Sequence, residues 1–176
     1  MDIINFTPFP NLATERLKLR QMKIEDAHEI FILRSDERIL KFLDIPKATT
    51  VDDARKYIGK INEGITRNEW IMWGISLQNN DTLIGTICYW NISKEHFTAD
   101  IGFVLHPDFQ GKGIMLEVLA TVLDYGFNTI RFNFIDAVID PDNVRSIKLL
   151  EKNGFAYDRK SNDTLIYSLV NHKYRE

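Results

Sequence analysis

Three runs rich in β-branched and aromatic residues, Trp70 to Leu77, Thr82 to Trp90 and Ala99 to Leu105, crowd the middle of the chain. Gln78-Asn-Asn-Asp81 between the first two has the composition of a hairpin turn, and Pro107 stops the third. Strands joined by a turn that short pair antiparallel, so the centre of the molecule is expected to be a sheet built from consecutive strands. Everything else must pack on that sheet.

The flanking segments supply helices and further strands. Arg16 to Met22 alternates with period two, as a half-buried strand does, and Ile24 to Ser35 switches to helical spacing. Thr50 precedes Asp53 by three, an approximate capping box, and Ala54, Tyr57, Ile58, Ile61 and Ile65 then mark one helix face. After the central strands, Ile114, Val118, Val122 and Tyr125 recur at near-helical spacing, with Met115, Leu119 and Leu123 beside them. Phe132 to Ile139 reads as a strand closed by Pro141, and a short helix from about Asn143 to Lys152 ends on Gly154, the expected residue after a helix C-cap. Two final strands, Phe155 to Lys160 and Thr164 to Val170, flank Ser161-Asn-Asp163. The order β-α-α-β-β-β-α-β-α-β-β, with no internal repeat, predicts an α/β domain on a mixed sheet.

A chain of 176 residues, 44% apolar, is long enough for one good core and short for two, so residues 1–176 are expected to form a single domain. The 22 basic and 25 acidic residues are mixed along the chain, and no basic block resembles a nucleic-acid or membrane footprint. Met1-Asp2-Ile3-Ile4 has no positive leader region and no apolar run approaches the ~20 residues of a membrane span, which predicts a cytoplasmic protein. The lone cysteine, Cys88, excludes an internal disulfide, and four scattered histidines offer no metal ligand set. Cys88 sits mid-strand among apolar neighbours and reads as a small buried hydrophobe rather than an acyl carrier.

Between the third central strand and the following helix stands Gln110-Gly-Lys-Gly-Ile-Met115. A strand, a glycine-rich turn and a helix together aim free backbone N–H groups and the positive end of a helix dipole at one point, an anion site suited to a pyrophosphate, and Lys112 adds a positive charge. By itself the motif is equally a tight turn, since it is neither a P-loop nor a full dinucleotide fingerprint.

The wider pattern resembles the GNAT acyl-CoA-dependent N-acetyltransferases, whose Gln/Arg-x-x-Gly-x-Gly/Ala loop Gln110 to Met115 matches with Met115 at the last position. The branch resembled is that of the bacterial ribosomal-protein N-terminal acetyltransferases. Thr14-Glu-Arg-Leu-Lys-Leu-Arg20 with Glu25-Asp-Ala27, Asp100-Ile-Gly-Phe103, Asn143-x-x-Ser146, Glu151-Lys-Asn-Gly-Phe155 and Tyr167-Ser-Leu169 match it in order along nearly the whole chain. The resemblance implies a mostly antiparallel central sheet flanked by helices and acetyl-CoA as co-substrate, with no metal. It assigns coenzyme binding to Phe103, Val104, Leu105, Gln110, Gly111, Lys112, Gly113, Ile114, Met115, Asn143 and Ser146.

Acetyl transfer to an amine needs a base, a polarised carbonyl, a held coenzyme and a proton for the departing thiolate. Asp100 is read as the base, directly or through water, with a strand-end carboxylate facing solvent as the other reading. The Val104 N–H is read as polarising the carbonyl, Asp100, Gly102 and Val104 sharing a face unless a bulge intervenes. By resemblance Asn143 bonds the pantetheine arm and Ser146 protonates the thiolate, a role taken by a tyrosine in many relatives where Leu150 stands here. The spacing of Asn143 and Ser146 also fits a plain helix cap. The acceptor is a protein N-terminus or a small amine; a polyamine would use clustered carboxylates such as Asp52-Asp53 and Glu63. A non-catalytic acyl-CoA-binding module is the rival from another class. The chain is expected as a monomer or homodimer.

Overall fold

The computed structural model describes residues 4–171, so the opening Met1-Asp2-Ile3, read above for a leader, lies outside the described residues. Eight strands form one sheet in the order β1-β2-β3-β4-β5-β6-β8-β7. They are β1 (Leu12–Ala13), β2 (Leu17–Arg20), β3 (Ile71–Leu77), β4 (Asn80–Ser93), β5 (Thr98–Leu105), β6 (Phe134–Ile139), β7 (Ala156–Ser161) and β8 (Thr164–Val170). Every neighbouring pair is antiparallel except β5 and β6. The helices are α1 (Ala27–Leu33), α2 (Glu37–Leu40), α3 (Val51–Thr66), α4 (Ile114–Asp124) and α5 (Val144–Lys152).

The local signals form what they predict. Thr50 accepts from the Asp53 N–H while the Asp53 carboxylate accepts from the Thr50 N–H at 3.0 Å, so both partners of the capping box close the start of α3. Asn143 caps α5, and Gly154 follows its end in the left-handed region at φ +88°. Two elements fall outside the expected order: β1 is two residues long and α2 four, too short for a readable period. The run after α4 winds on as a π-type turn over Tyr125–Ile130 before β6 begins.

Alternation along β4 sorts the layers. Tyr57 of α3 donates its hydroxyl to the Met72 sulfur at 3.6 Å, and Met72 pairs with Cys88, so this face of the sheet lies under α3. The next residue, Tyr89, points the opposite way and donates to the Val122 carbonyl of α4 at 2.8 Å. The sheet is thus sandwiched, with Trp73, Tyr89, Phe132, Ile71, Ile75 and Ile87 fully buried inside. Burying each such side chain contributes about 1.5–3 kcal/mol, and those on β3 and β4 share the Tyr89 face, which ties the central strands to the α4 layer.

The one parallel contact is short. β5 and β6 are in register only at Thr98 with Phe134, Ala99 with Ile135 and Asp100 with Asp136, after which the two strands diverge. β5 runs on to Leu105 beside β4 alone, while β6 runs on to Ile139 beside β8 alone. A split therefore opens in the middle of the sheet, with unpaired backbone on its β5 side. Gly85 of β4 lets the far end of β5 come in close, because a Cβ there would meet the Val104 carbonyl oxygen at 2.4 Å.

Candidate active site

The split widens into a cavity of about 510 Å³ walled by the end of β5, the loop before α4, the first turn of α4, α5 and the segment around α2. Phe103, Val104, Leu105, Gln110, Gly111, Gly113, Ile114, Met115, Asn143 and Ser146 all line it, so strand, loop and α5 motifs that lie far apart in sequence converge on one chamber. Two of the expected residues do not line it. Asp100 stands at the head of the split, and the Lys112 ammonium is turned onto the Phe109 ring, 5.4 Å from its centroid.

The loop fits an anion. Gly111 and Gly113 take φ of +76° and +73°, a region L side chains rarely occupy, and Gly113 is the N-cap of α4 with no side chain bonding the first-turn amides. Those N–H groups and the helix dipole face the cavity together. Gln110 bridges its two walls: its Nε2 donates to the Leu105 carbonyl at 2.9 Å and its Oε1 accepts from Arg145 at 2.5 Å. Met115, where the resemblance expects Gly or Ala, is buried in the core and its edge still reaches the cavity.

The positive charge comes from residues that the sequence reading missed. Arg38, Arg145, Lys148 and Lys152 line the cavity and, among the described residues, no aspartate or glutamate does. Arg145, Lys148 and Lys152 stand three and four apart on α5, hence on one helix face, a spacing visible in the sequence. In place of Lys112, this face supplies the cationic wall.

Asp100 faces the α3 side of the sheet, in register with Trp90 on one side and Asp136 on the other. Burial raises its carboxyl pKa above the ordinary value and nearby Asp136 adds to the rise, while the Asn91 amide, 3.2 Å away, and Arg159 oppose it. A carboxylate so raised is a better proton acceptor than a free one. Its neighbour is differently occupied: Asp136 accepts from Arg159 at 3.2 Å and from the Ser168 hydroxyl.

The Val104 expectation is corrected by the ladder. The His106 N–H bonds the Ile84 carbonyl at 2.8 Å, and β4 and β5 stay in register without a bulge from Gly85–Leu105 to Trp90–Asp100. Alternation then turns the Val104 N–H toward Thr86 of β4, and the amides of Phe103 and Leu105 toward the split. Val104 is among the residues that line the cavity. Phe103, three residues from Asp100, lies about 10 Å along the strand from it, so the two reach a common centre only through water or the acceptor itself.

On α5, the Asn143 Oδ1 accepts from the Ser146 N–H at 3.2 Å, which makes the cap real and leaves the Asn143 NH₂ as the group to meet a ligand. Ser146 is in the cavity wall. Among the described residues no cluster of three His, Cys, Asp or Glu is placed to hold a metal.

Cys88, expected to be buried, is half-buried on the α3 face beside Gly102, and desolvation there pushes its thiol up to about 12, so at neutral pH it is a protonated, poor nucleophile. Cys88→Ala is expected to leave turnover unchanged and to lower stability by about 1 kcal/mol, as loss of a small packed group does. An acetylated Cys88 that forms and decays at the turnover rate, detected by rapid-quench mass spectrometry, would contradict this.

Residues 16–156 match the acetyltransferase (GNAT) domain family. An uncharacterized N-acetyltransferase, p20, of Bacillus licheniformis is 34% identical over 173 residues, covering 93% of this chain and 97% of the relative. The fold is shared with the ribosomal-protein-S5-alanine acetyltransferase of Vibrio fischeri, with a TM-score of 0.82 at 22% identity over 95% of this chain and all of that one. It is equally shared with a spermidine N-acetyltransferase of Vibrio cholerae, solved with CoA and spermine, at a TM-score of 0.79 and 21% identity over 92% and 99% of the two chains. The chain belongs to the GNAT acetyltransferase family. It is an acetyl-CoA-dependent N-acetyltransferase whose acceptor the shared fold does not choose.

Proposed function

We propose that the chain acetylates the α-amine of a protein or peptide N-terminus by direct transfer from acetyl-CoA in a ternary complex. The supporting observation is the split itself, a chamber with cationic walls and free amides at one end and, at its head, Asp100, a half-buried carboxylate bonded by the Asn91 amide. The diphosphate end of the coenzyme lies on Gly111, Gly113 and the α4 amides, near the α5 cations, and the pantetheine arm follows the unpaired edge of β5 past Asn143. The Phe103 N–H polarises the thioester carbonyl. Asp100 takes one proton of the ammonium through water, the neutral amine nitrogen bonds the carbonyl carbon, the carbon–sulfur bond breaks, the second proton shed by the nitrogen reaches the thiolate by way of the Ser146 hydroxyl, which gives one proton as it accepts the other, and Asp100 returns its proton to water. That sequence balances without a further reactant.

A singly charged acceptor is favoured over a polyamine by the state of the other carboxylates. Asp136 is engaged by Arg159 and Ser168. The cluster that a polycation would use is likewise engaged on α3: Asp53 caps its own helix, with hydrogen bonds from Thr49 and Thr50 drawing its carboxyl down to about 2, Asp52 pairs with Lys56 at 3.1 Å, and Glu63 faces Arg67 at 3.9 Å. An α-amine, with a pKa near 8, needs only modest help to lose its proton.

Thiol release from acetyl-CoA tests the acceptor, using peptides with a free N-terminus and an internal lysine, the same peptides blocked at the N-terminus, and spermidine. The expected result is release with the free peptides at least about tenfold faster than with spermidine, the acetyl mapping to the α-nitrogen. Preferred turnover of spermidine, or acetylation of the lysine, would overturn the acceptor class. No release with any amine while CoA still binds would favour the non-catalytic module.

A further inference from the structure

The turn between β1 and β2 is bound to the coenzyme loop by one arginine. Arg16 donates from Nη1 to the Lys112 carbonyl at 3.1 Å, and from Nε and Nη2 to the Glu117 carboxylate at 2.7 Å each. Its Nη2 also stands 3.6 Å from where a Cβ on Gly113 would lie. The turn that carries Arg16 is itself anchored. Gln78 donates to the Thr14 and Leu17 carbonyls at 2.9 and 3.0 Å, and the Thr14 hydroxyl bonds the same Glu117 carboxylate. Sheet, turn, loop and helix are thereby joined through one guanidinium.

Glu117 gives this arrangement an electrostatic meaning. It lies in the first turn of α4, where a carboxylate competes with a bound phosphate for the positive end of the helix. Burial alone would raise its carboxyl, but hydrogen bonds from Thr14 and Arg16 outweigh that and hold it below the usual range, so it is ionised at neutral pH. Two guanidinium N–H groups converging on its Oε2 offset that charge, and the same group fixes the Lys112 carbonyl so that the flanking amides face the cavity.

We propose that Arg16 is a positioning residue for coenzyme binding, acting through the Lys112 carbonyl and by neutralising Glu117, on a strand turn remote in sequence from the loop it orders. The proposal rests on the reading that this loop takes the coenzyme diphosphate. Lysine cannot replace it fully, since an ammonium lacks the planar fork needed to hold carboxylate and carbonyl together.

Calorimetric titration with CoA, paired with steady-state kinetics, tests it on the full chain. Arg16→Ala is expected to raise Kd for CoA and KM for acetyl-CoA by about tenfold, the worth of one charged hydrogen bond, with kcat at saturation unchanged. Arg16→Lys should lose part of that affinity, and Arg16→Ala combined with Glu117→Gln should recover part of what Arg16→Ala alone loses. Wild-type affinity in folded Arg16→Ala, or a fall in kcat with Kd unmoved, overturns the proposal; no recovery in the double variant removes its electrostatic half. If Arg16→Ala does not fold, Arg16→Lys carries the test, and wild-type affinity there overturns the proposal equally. Wild-type protein that fails to bind CoA would instead defeat the coenzyme reading from which the proposal starts.

Discussion

Gly113→Val is expected to raise the dissociation constant for CoA by more than about a hundredfold, the loss of two or three hydrogen bonds to a charged group, in a protein that keeps its fold. The cause is conformational rather than steric. Gly113 is the N-cap of α4 at φ +73°, and no atom stands nearer than 3.6 Å to the place of a Cβ. A β-branched residue held in the left-handed region costs of the order of 1–3 kcal/mol. The exposed loop relieves that strain by turning its peptide groups, and the amides aimed at the cavity go with them. Core residues on α4 such as Val118, Leu119 and Val122 are fully buried and do not depend on the loop, so far-UV circular dichroism should be nearly unchanged. Undiminished CoA binding by Gly113→Val would reduce the loop to a turn.

Asp100→Asn separates activity from stability. The substitution keeps the shape and removes the base, so kcat/KM should fall by about a hundredfold on the low-pH limb, where the amine is mostly protonated, and recover in part as the pH rises. Stability should move the other way. The folded chain holds the Asp100 proton more tightly than the unfolded chain does, chiefly because of burial, so the folded state is favoured below the ordinary Asp pKa and loses that advantage as pH rises through the raised value. At neutral pH the ionised group is then a net cost, which Asn removes. The melting temperature of Asp100→Asn at pH 7 should equal or exceed that of wild type. A clear drop in stability together with unchanged kcat/KM would show Asp100 to be a structural carboxylate and move the base elsewhere.

Much of this arrangement was legible from local chemistry. Thr50 with Asp53, Asn143 with Ser146, and Gly154 mark helix ends because capping is decided within four residues, and the hairpin at Asn80 follows from its turn composition. The glycine loop, with α4 after it, was legible for the same reason. The split between β5 and β6 was not, because side-chain alternation is the same whether a strand has one partner or two. That missing register also hid which way the amides point, since Val104 and Phe103 differ only in which neighbour their N–H groups face. Lys112 drew attention through its place in the loop, yet the nearby Phe109 ring holds it. The cations that do line the cavity read from sequence as an ordinary solvated helix face; only the fold shows that α5 turns that face inward.

Thermal melting of the full chain with and without CoA tests the coenzyme chamber most directly. Ligand at a hundredfold excess over its Kd adds about 2.7 kcal/mol to the folded state. For a chain of this length that corresponds to a rise in Tm of about 5–10 °C, saturating with CoA and absent in Gly113→Val. A Tm that does not move at millimolar CoA would contradict the assignment of the split and its cation-lined cavity as the coenzyme site.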